Sequence, residues 1–172
     1  MRHAEVLLTF AEIAVAVAGF ASLISILSKS PKFIDGSRLL GMVRSSLLVT
    51  AFSLFPFVPN ALGITGPPAW RISAVIFFVA NGLHTFFAWR LLYRMWRKGL
   101  WKVRAGYFTF PMGFAGLALT LASAFATSEE RASGLYLASL AALLSVSGVL
   151  FLSVFTSFVL EPGGDSAARK PS

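Results

Sequence analysis

Hydrophobic positions in this chain come in long, nearly uninterrupted runs. Five of them are about as long as the roughly 20 residues that an α-helix needs to cross about 30 Å of hydrocarbon. We predict membrane-spanning helices at 5–27, 39–62, 69–93, 107–126 and 134–160. The fourth run is the shortest and carries Pro111 near its start. The pattern predicts an all-α fold, a polytopic transmembrane bundle of about five spans.

The segments around these runs set the limits of the helical domain. The first run exceeds the roughly 7 to 15 residues of a secretory signal core and contains Glu12, so we expect a retained span. Pro56 and Pro59 stand near the end of the second run and predict a kink or a helix end there. Residues 161–172 are rich in Gly, Pro and Ser, which is typical of disorder. We therefore assign 1–160 to a transmembrane domain and 161–172 to a disordered cytoplasmic tail.

Composition supports a membrane protein and excludes several kinds of site. Of the 172 residues, 56% are hydrophobic and 13% are charged, and the mean hydropathy is +0.76. A water-soluble domain carries about 25% charged residues, so most of the exterior of this chain must face lipid. Cysteine is absent, which excludes disulfides, thiolate metal ligands and cysteine nucleophiles.

The basic residues predict the orientation of the bundle. Twelve of the 15 fall on one side of the predicted topology: four between the first run and Arg44, six from Arg90 to Arg104, and two in the tail. The other three are Arg2, Arg71 and Arg131. Because basic residues concentrate on the cytoplasmic side of membrane proteins, we predict that the N-terminus is outside and the C-terminus is in the cytoplasm.

The connection YRMWRKGLWKVR, residues 93–104, mixes arginine with aromatic side chains. Such a segment suits nucleic acid or anionic lipid head groups. Because basic residues are expected in a cytoplasmic connection between two spans, the topology alone explains the composition of this segment. We therefore expect contact with anionic lipids of the bilayer and no nucleic-acid partner.

Glu12 is the one carboxylate well inside the first predicted span. A charged side chain at mid-bilayer costs on the order of 2.5 to 3.5 kcal/mol by insertion scales, so it needs a partner, water or neutralisation. Glu12 shares a helix face with Glu5 and Gly19, each seven residues away. We expect Glu12 to point into the bundle or an oligomer interface, either as a proton or cation site or as a carboxyl group that hydrogen-bonds a neighbouring span.

Three further polar residues lie inside predicted spans. Asn81 and His84 are three residues apart and so share one face of the third span, while Arg44 lies in the second. With Glu12 they would resemble a water-bridged proton or ion path. The alternative is that Asn81 and His84 hold helices together, while Arg44 extends to the cytoplasmic head groups.

Small residues form two stripes at intervals of three or four residues, a spacing that favours close helix packing. The candidate packing residues are Ala16 and Gly19 in the first run and Ala138, Ala141, Ser145 and Gly148 in the fifth. These stripes predict contacts with neighbouring helices, within a bundle or between copies of the chain.

No motif for catalysis or for a cofactor is visible. The sequence contains no phosphate loop, nucleophile elbow or H-E-x-x-H motif. To bind haem, His84 would need a second ligand, and the other histidine, His3, lies too far toward the outer end of the bundle. A zinc site is excluded by the same shortage of ligands. We expect no catalytic residue, no metal and no cofactor, and an enzyme that acts on lipid ranks third among the functions.

The opening LLTFAEIAVAVAGFASL, followed by a basic loop and RLLGMVRSSLLVTAFSLFPFV, resembles a group of small bacterial integral membrane proteins. Members of that group begin with a phenylalanine, a residue or two, then E-I-A-V and A-G-F. The resemblance covers the first two spans. It implies a bacterial inner-membrane setting and draws attention to Glu12 and Arg44, without supplying an activity.

Two hypotheses for function follow from these observations. In the first, the protein is a small oligomeric channel or transporter for protons or small cations, with Glu12, Asn81 and His84 along the path. In the second, it is a structural or accessory membrane subunit whose intramembrane polar residues hold helices or a partner together. Both predict a homo-oligomer or a larger assembly.

Overall fold

The computed structural model describes residues 3–27, 33–97 and 106–160. These residues form six helices and no strand: α1 Ala4–Leu27, α2 Phe33–Leu54, α3 Phe57–Ala61, α4 Pro67–Arg97, α5 Gly106–Phe125 and α6 Glu129–Leu160. The predicted tail, 161–172, and most of the basic connection, namely 98–104, lie outside the described residues.

Five helical stretches are long and apolar enough to cross a membrane. They are Ala4–Ile24, Arg38–Ala61, Pro67–Arg94, Phe108–Phe125 and Glu129–Thr156. Each coincides with one of the predicted runs, and α5 continues through Pro111. The predicted all-α class and the five spans are confirmed, and the chain is a multi-pass membrane protein by the length and composition of its helices.

Helix α6 lies at the centre of the bundle. It packs most extensively on α5 and α2 and more lightly on α1 and α4, while α1 packs on α2 and α4 packs on α5. Two clusters of buried side chains mark the two ends of the bundle. One contains Leu7, Phe52, Trp70 and Tyr136, and the other contains Ala21, Leu39, Met42 and Val154.

These two clusters show that successive long helices are antiparallel. The first cluster joins the start of α1, α4 and α6 to the end of α2, and we call this the Trp70 end of the bundle. The second joins the end of α1 and α6 to the start of α2, and we call this the Met42 end. The distribution of basic residues predicts that the Met42 end is cytoplasmic.

Aromatic rings fill the interior at the Trp70 end. Phe52 and Phe77 stack with ring centroids 4.7 Å apart. Tyr136 lies 5.6 Å from Phe77 and 5.6 Å from Trp70, with its ring inclined to both. Such offset and edge-on contacts add to the apolar burial that holds α2, α4 and α6 together.

Helix α2 ends where the prolines of the sequence predict an interruption. It stops at Leu54, and α3 begins at Phe57, one residue after Pro56. The carbonyl oxygen of Phe52 would normally accept the backbone N–H four residues later, but residue 56 is a proline and has none. The Tyr136 hydroxyl donates to that carbonyl instead, at 2.6 Å.

In the turn between α5 and α6, side chains form hydrogen bonds with free backbone groups at the two helix ends. The Nε and Nη2 atoms of Arg71 donate to the Ala126 carbonyl, just past α5, at 3.0 and 2.9 Å. The Ser128 hydroxyl accepts the backbone N–H of Arg131 at 3.4 Å, as an N-cap does. The positive charge of Arg71 at the C-terminal end of α5 also interacts favourably with the negative end of the helix dipole.

Candidate functional site

The carboxylate of Glu12 lies on the outer surface of the bundle. Its side chain is exposed, eight residues after Ala4 and therefore about 12 Å along α1 from its start. It makes no hydrogen bond or ion pair with the residues that the structure describes. Glu12 therefore does not point into the bundle of its own chain, and its place in an oligomer interface stays a prediction.

Glu12 is the middle member of a continuous row of exposed residues on α1, which we call the α1 stripe. The row consists of Glu5, Thr9, Glu12, Ala16 and Gly19. At about 100° per residue it is centred roughly 180° from Leu7, Ala14 and Ala21, which together with Ala11 are the buried side chains in the described part of the same helix. The stripe therefore points directly away from the core of the protomer.

The α1 stripe differs in composition from the exposed face of α4. That face carries only large apolar side chains over the same length: Ile72, Ile76, Val79, Leu83 and Phe86. Large apolar side chains are what a surface in contact with lipid carries. The α1 stripe carries two carboxylates, a hydroxyl and two small residues, so it is not an ordinary lipid-facing surface.

The small-residue stripe on α6 also faces outward in part. Ala138 is exposed, and Ala141, Ser145 and Gly148 are half-buried. A Cβ atom placed on Gly19 or Gly148 would meet no other atom within 4 Å. Gly19 and Gly148 therefore do not mark a close approach to another helix of the same protomer, and the role of the two stripes in packing stays a prediction.

The close approach between α2 and α6 uses other small residues. The hydroxyl oxygens of Ser45 and Ser147 lie 2.6 Å apart in the buried interface. A Cβ atom on Gly41 would come within 3.3 Å of the Leu150 side chain. The sequence reasoning did not identify this contact, although Gly41 and Ser45, four residues apart, form the same kind of spacing.

Asn81 lies deep inside the bundle, where α4 meets α5 and α6. Its side chain is 0% exposed. A Cβ atom on Gly116 of α5 would lie 3.7 Å from its Nδ2 atom and 3.6 Å from the backbone oxygen of Ser139 on α6. Asn81 is therefore enclosed by three helices rather than directed at a surface.

His84 and Arg44 are the two candidate residues that the structure brings near each other. His84 is half-buried on α4 and Arg44 is exposed on α2. The guanidinium lies within electrostatic range of the imidazole. Arg44 is exposed, and its predicted extension to the cytoplasmic head groups stays a prediction.

The four candidate polar residues do not form one chain inside a protomer. Glu12 lies on the outer face of α1, and Asn81 lies between α4, α5 and α6. Helix α1 packs on α2 and α6 and not extensively on α4 or α5. Any path that includes Glu12 must therefore run between molecules.

No group of three or more His, Cys, Asp or Glu side chains lies together in the described part of the chain. No protein-family model, curated protein sequence or solved structure matches the chain. The candidate functions therefore depend on the geometry of the chain itself.

Proposed function

We propose that this integral membrane protein is a non-enzymatic structural or accessory subunit, and that its α1 stripe is the surface through which two copies of the chain associate. The observation that carries the proposal is the position of Glu12, exposed on α1 opposite the buried face. A carboxyl group in contact with hydrocarbon is costly, and the cost falls when a polar partner covers it.

A second copy of the chain suits this surface. Copies inserted with the same orientation, and related by an axis along the membrane normal, place their α1 helices parallel and Glu12 of each copy at the same depth. The stripe repeats at steps of four and three residues, the spacing with which parallel helices interdigitate. In this arrangement the two Glu12 side chains face each other and are covered from hydrocarbon.

Bulky substitutions in the stripe test this proposal. Ala16→Leu and Gly19→Leu place large side chains where the two α1 helices must approach, so we expect a shift from oligomer to monomer. The matched control is Ala122→Leu, an equally exposed alanine on α5. The measurement is the mass distribution of the purified protein in mild detergent and in nanodiscs, by native mass spectrometry.

Two oligomeric states would contradict the proposal. A wild-type protein that is monomeric at all concentrations excludes self-association. An oligomer that Ala16→Leu and Gly19→Leu leave as intact as Ala122→Leu does places the interface elsewhere.

The second candidate function is a small channel or transporter for protons or small cations. One observation favours it: Glu5 and Glu12 are both exposed on the same line of α1, about 10 Å apart along the axis. In a ring of copies these carboxylates line the central axis. Loss of ion flux in Glu12→Gln with the oligomer intact distinguishes this function from the structural one.

The resemblance of the first two spans to bacterial proteins supports an inner-membrane location as part of the proposal. Exposed basic residues at the Met42 end support contact with anionic lipids there. These are Arg90, Arg94 and Arg97 near the end of α4. Such clusters are attracted to anionic leaflets by about 1 kcal/mol for each residue near the surface.

A further inference from the structure

Helices α2 and α4 pack closely at the Trp70 end and leave a groove toward the Met42 end. At the Trp70 end, Phe52 and Phe77 stack with ring centroids 4.7 Å apart. The buried cluster at the Met42 end contains residues of α1, α2 and α6 and none of α4. No described side chain of α4 after Asn81 is buried, although the helix continues to Arg97. On the Met42 side of the two rings, the facing surfaces of α2 and α4 are therefore open to lipid.

Arg44 and His84 lie at the same level on the two walls of this groove. His84 comes seven residues, or two turns, after Phe77 and shares its face of α4. Arg44 comes eight residues before Phe52 on the antiparallel α2. At 1.5 Å per residue these steps are about 10 and about 12 Å from the stacked rings. The guanidinium lies within electrostatic range of the imidazole, as this register requires.

Both side chains are accessible and have no partner in the protein. Neither makes a hydrogen bond or an ion pair with the residues that the structure describes. Arg44 is exposed and His84 is half-buried, so a molecule that approaches from the lipid can reach both. The exposed neighbours of Arg44 on α2 are apolar, namely Leu40, Leu47 and Ala51. A guanidinium on such a face is costly unless an anion or water meets it.

The described part of the chain supplies no anion at this place. Its acidic side chains all lie in the half of the bundle nearer the Trp70 end: Glu5, Glu12, Glu129 and Glu130. Arg44 lies about 9 Å inside the span that begins at Arg38. The nearest source of negative charge is the phosphate of a lipid in the same leaflet. The length of an arginine side chain and a local thinning of the bilayer bring the two groups together.

The chemistry of the two side chains suits a phosphate. A guanidinium presents paired N–H donors that match two phosphate oxygens. An imidazole N–H adds a donor from the opposite wall. Basic pockets between membrane helices bind anionic head groups in this way. A zwitterionic lipid would also bring an ammonium group beside the two basic side chains, so an anionic lipid is favoured.

We infer that the groove between α2 and α4 binds the phosphate of an anionic phospholipid, which Arg44 contacts from one wall and His84 from the other. The inference rests on the proposed contact of the Met42 end with anionic lipids and extends it from the end of α4 into the span. The groove lies within one protomer and outside the α1 stripe, so it does not depend on how copies of the chain assemble.

Lipid binding to the delipidated protein in detergent tests the groove. Native mass spectrometry gives the Kd of phosphatidylglycerol in about 0.5 M ammonium acetate, where a Debye length of about 4 Å screens charges at the surface. Arg44→Gln removes the charge and the paired donors, so we expect the Kd to rise about tenfold or more. The matched control is Arg90→Gln, an exposed arginine near the end of α4, which should change the Kd less than about twofold at this salt concentration.

Two further variants distinguish contact with the phosphate from attraction by charge alone. Arg44→Lys keeps the charge but not the paired donors, so its Kd should lie between those of the wild type and Arg44→Gln. His84→Phe keeps a ring and removes the N–H donor, and we expect a Kd about two- to tenfold higher. Far-UV circular dichroism confirms that each variant is folded, which the accessible positions of both residues favour.

Three results overturn the inference. The first is a wild-type protein that binds phosphatidylglycerol no more tightly than phosphatidylcholine with the same acyl chains. The second is a Kd that Arg44→Gln leaves unchanged, and the third is an effect of Arg90→Gln as large as that of Arg44→Gln. If Arg90→Gln weakens binding only at low salt while Arg44→Gln has no effect, the lipid contact at the end of α4 stands and the groove alone is excluded.

Discussion

At the scale of single residues, the carbonyl oxygen of Phe52 shows how a side chain replaces a backbone hydrogen bond that proline removes. Pro56 removes the backbone donor that this oxygen would have in a continuous helix. Tyr136, from the central helix, donates its hydroxyl at 2.6 Å, and the same ring contacts Trp70 and Phe77. The interruption of α2 is thereby tied to the packing of α6.

We predict that Tyr136→Phe lowers the free energy of unfolding by about 1 to 3 kcal/mol, because the buried Phe52 oxygen is left without a donor. Unfolding is followed by far-UV circular dichroism during titration of the detergent-solubilised protein with SDS. Pro56→Ala restores a backbone N–H four residues after Phe52. Tyr136→Phe should therefore cost less in a Pro56→Ala background than alone, and an equal cost in both backgrounds contradicts this explanation.

At the scale of helices, α1 combines two opposite surfaces. Its buried residues are small or aliphatic and pack on α2 and α6. Its opposite surface carries the α1 stripe, while the exposed face of α4 is uniformly apolar. This difference between two exposed helix faces of one protein is the reason why the proposed contact between copies is assigned to α1 and not to α4.

The permeation hypothesis makes its own prediction for α1. Glu12→Gln keeps the size of the side chain but removes its titratable proton, so we expect proton or cation flux in liposomes to be lost while the oligomer persists. Glu130→Gln, at an exposed carboxylate in the first turn of α6 and outside the α1 stripe, is the control and should retain flux. A pure, folded wild-type protein that passes none of the tested ions rules out this function and leaves the structural one.

At the scale of the whole molecule, the antiparallel bundle separates two chemically different ends. The Trp70 end holds the aromatic cluster and the tight α5–α6 turn, with Glu129 and Glu130 in the first turn of α6. The last turn of α4, toward the Met42 end, carries Arg94 and Arg97. This asymmetry is the basis for predicting which end is cytoplasmic.

The orientation is measurable because the natural chain has no cysteine. We predict that Thr127→Cys, in the exposed α5–α6 turn, reacts with a membrane-impermeant maleimide added to intact bacterial cells. A cysteine appended after Ser172 should react only after the membrane is permeabilised. The reverse pattern would invert the topology, and labelling of both sites in intact cells would contradict an odd number of crossings.

The sequence by itself determined the fold class, the five spans and the break near Pro56. The physical reason is that a bilayer forces every span to satisfy its own backbone hydrogen bonds, so a run of about 20 apolar residues has one available structure. The same reasoning identified Glu12 as a costly group in need of a partner, water or neutralisation, because that cost depends only on the residue and its depth.

Only the tertiary structure decided where those groups point. Glu12 and Asn81 both lie in apolar helices, yet Glu12 is exposed and Asn81 is 0% exposed. In lipid, both faces of a helix are apolar, so hydrophobic periodicity does not distinguish the core side from the outer side as it does in water. Which face is buried follows from contacts between distant parts of the chain, such as Ser45 with Ser147 and Tyr136 with Phe52.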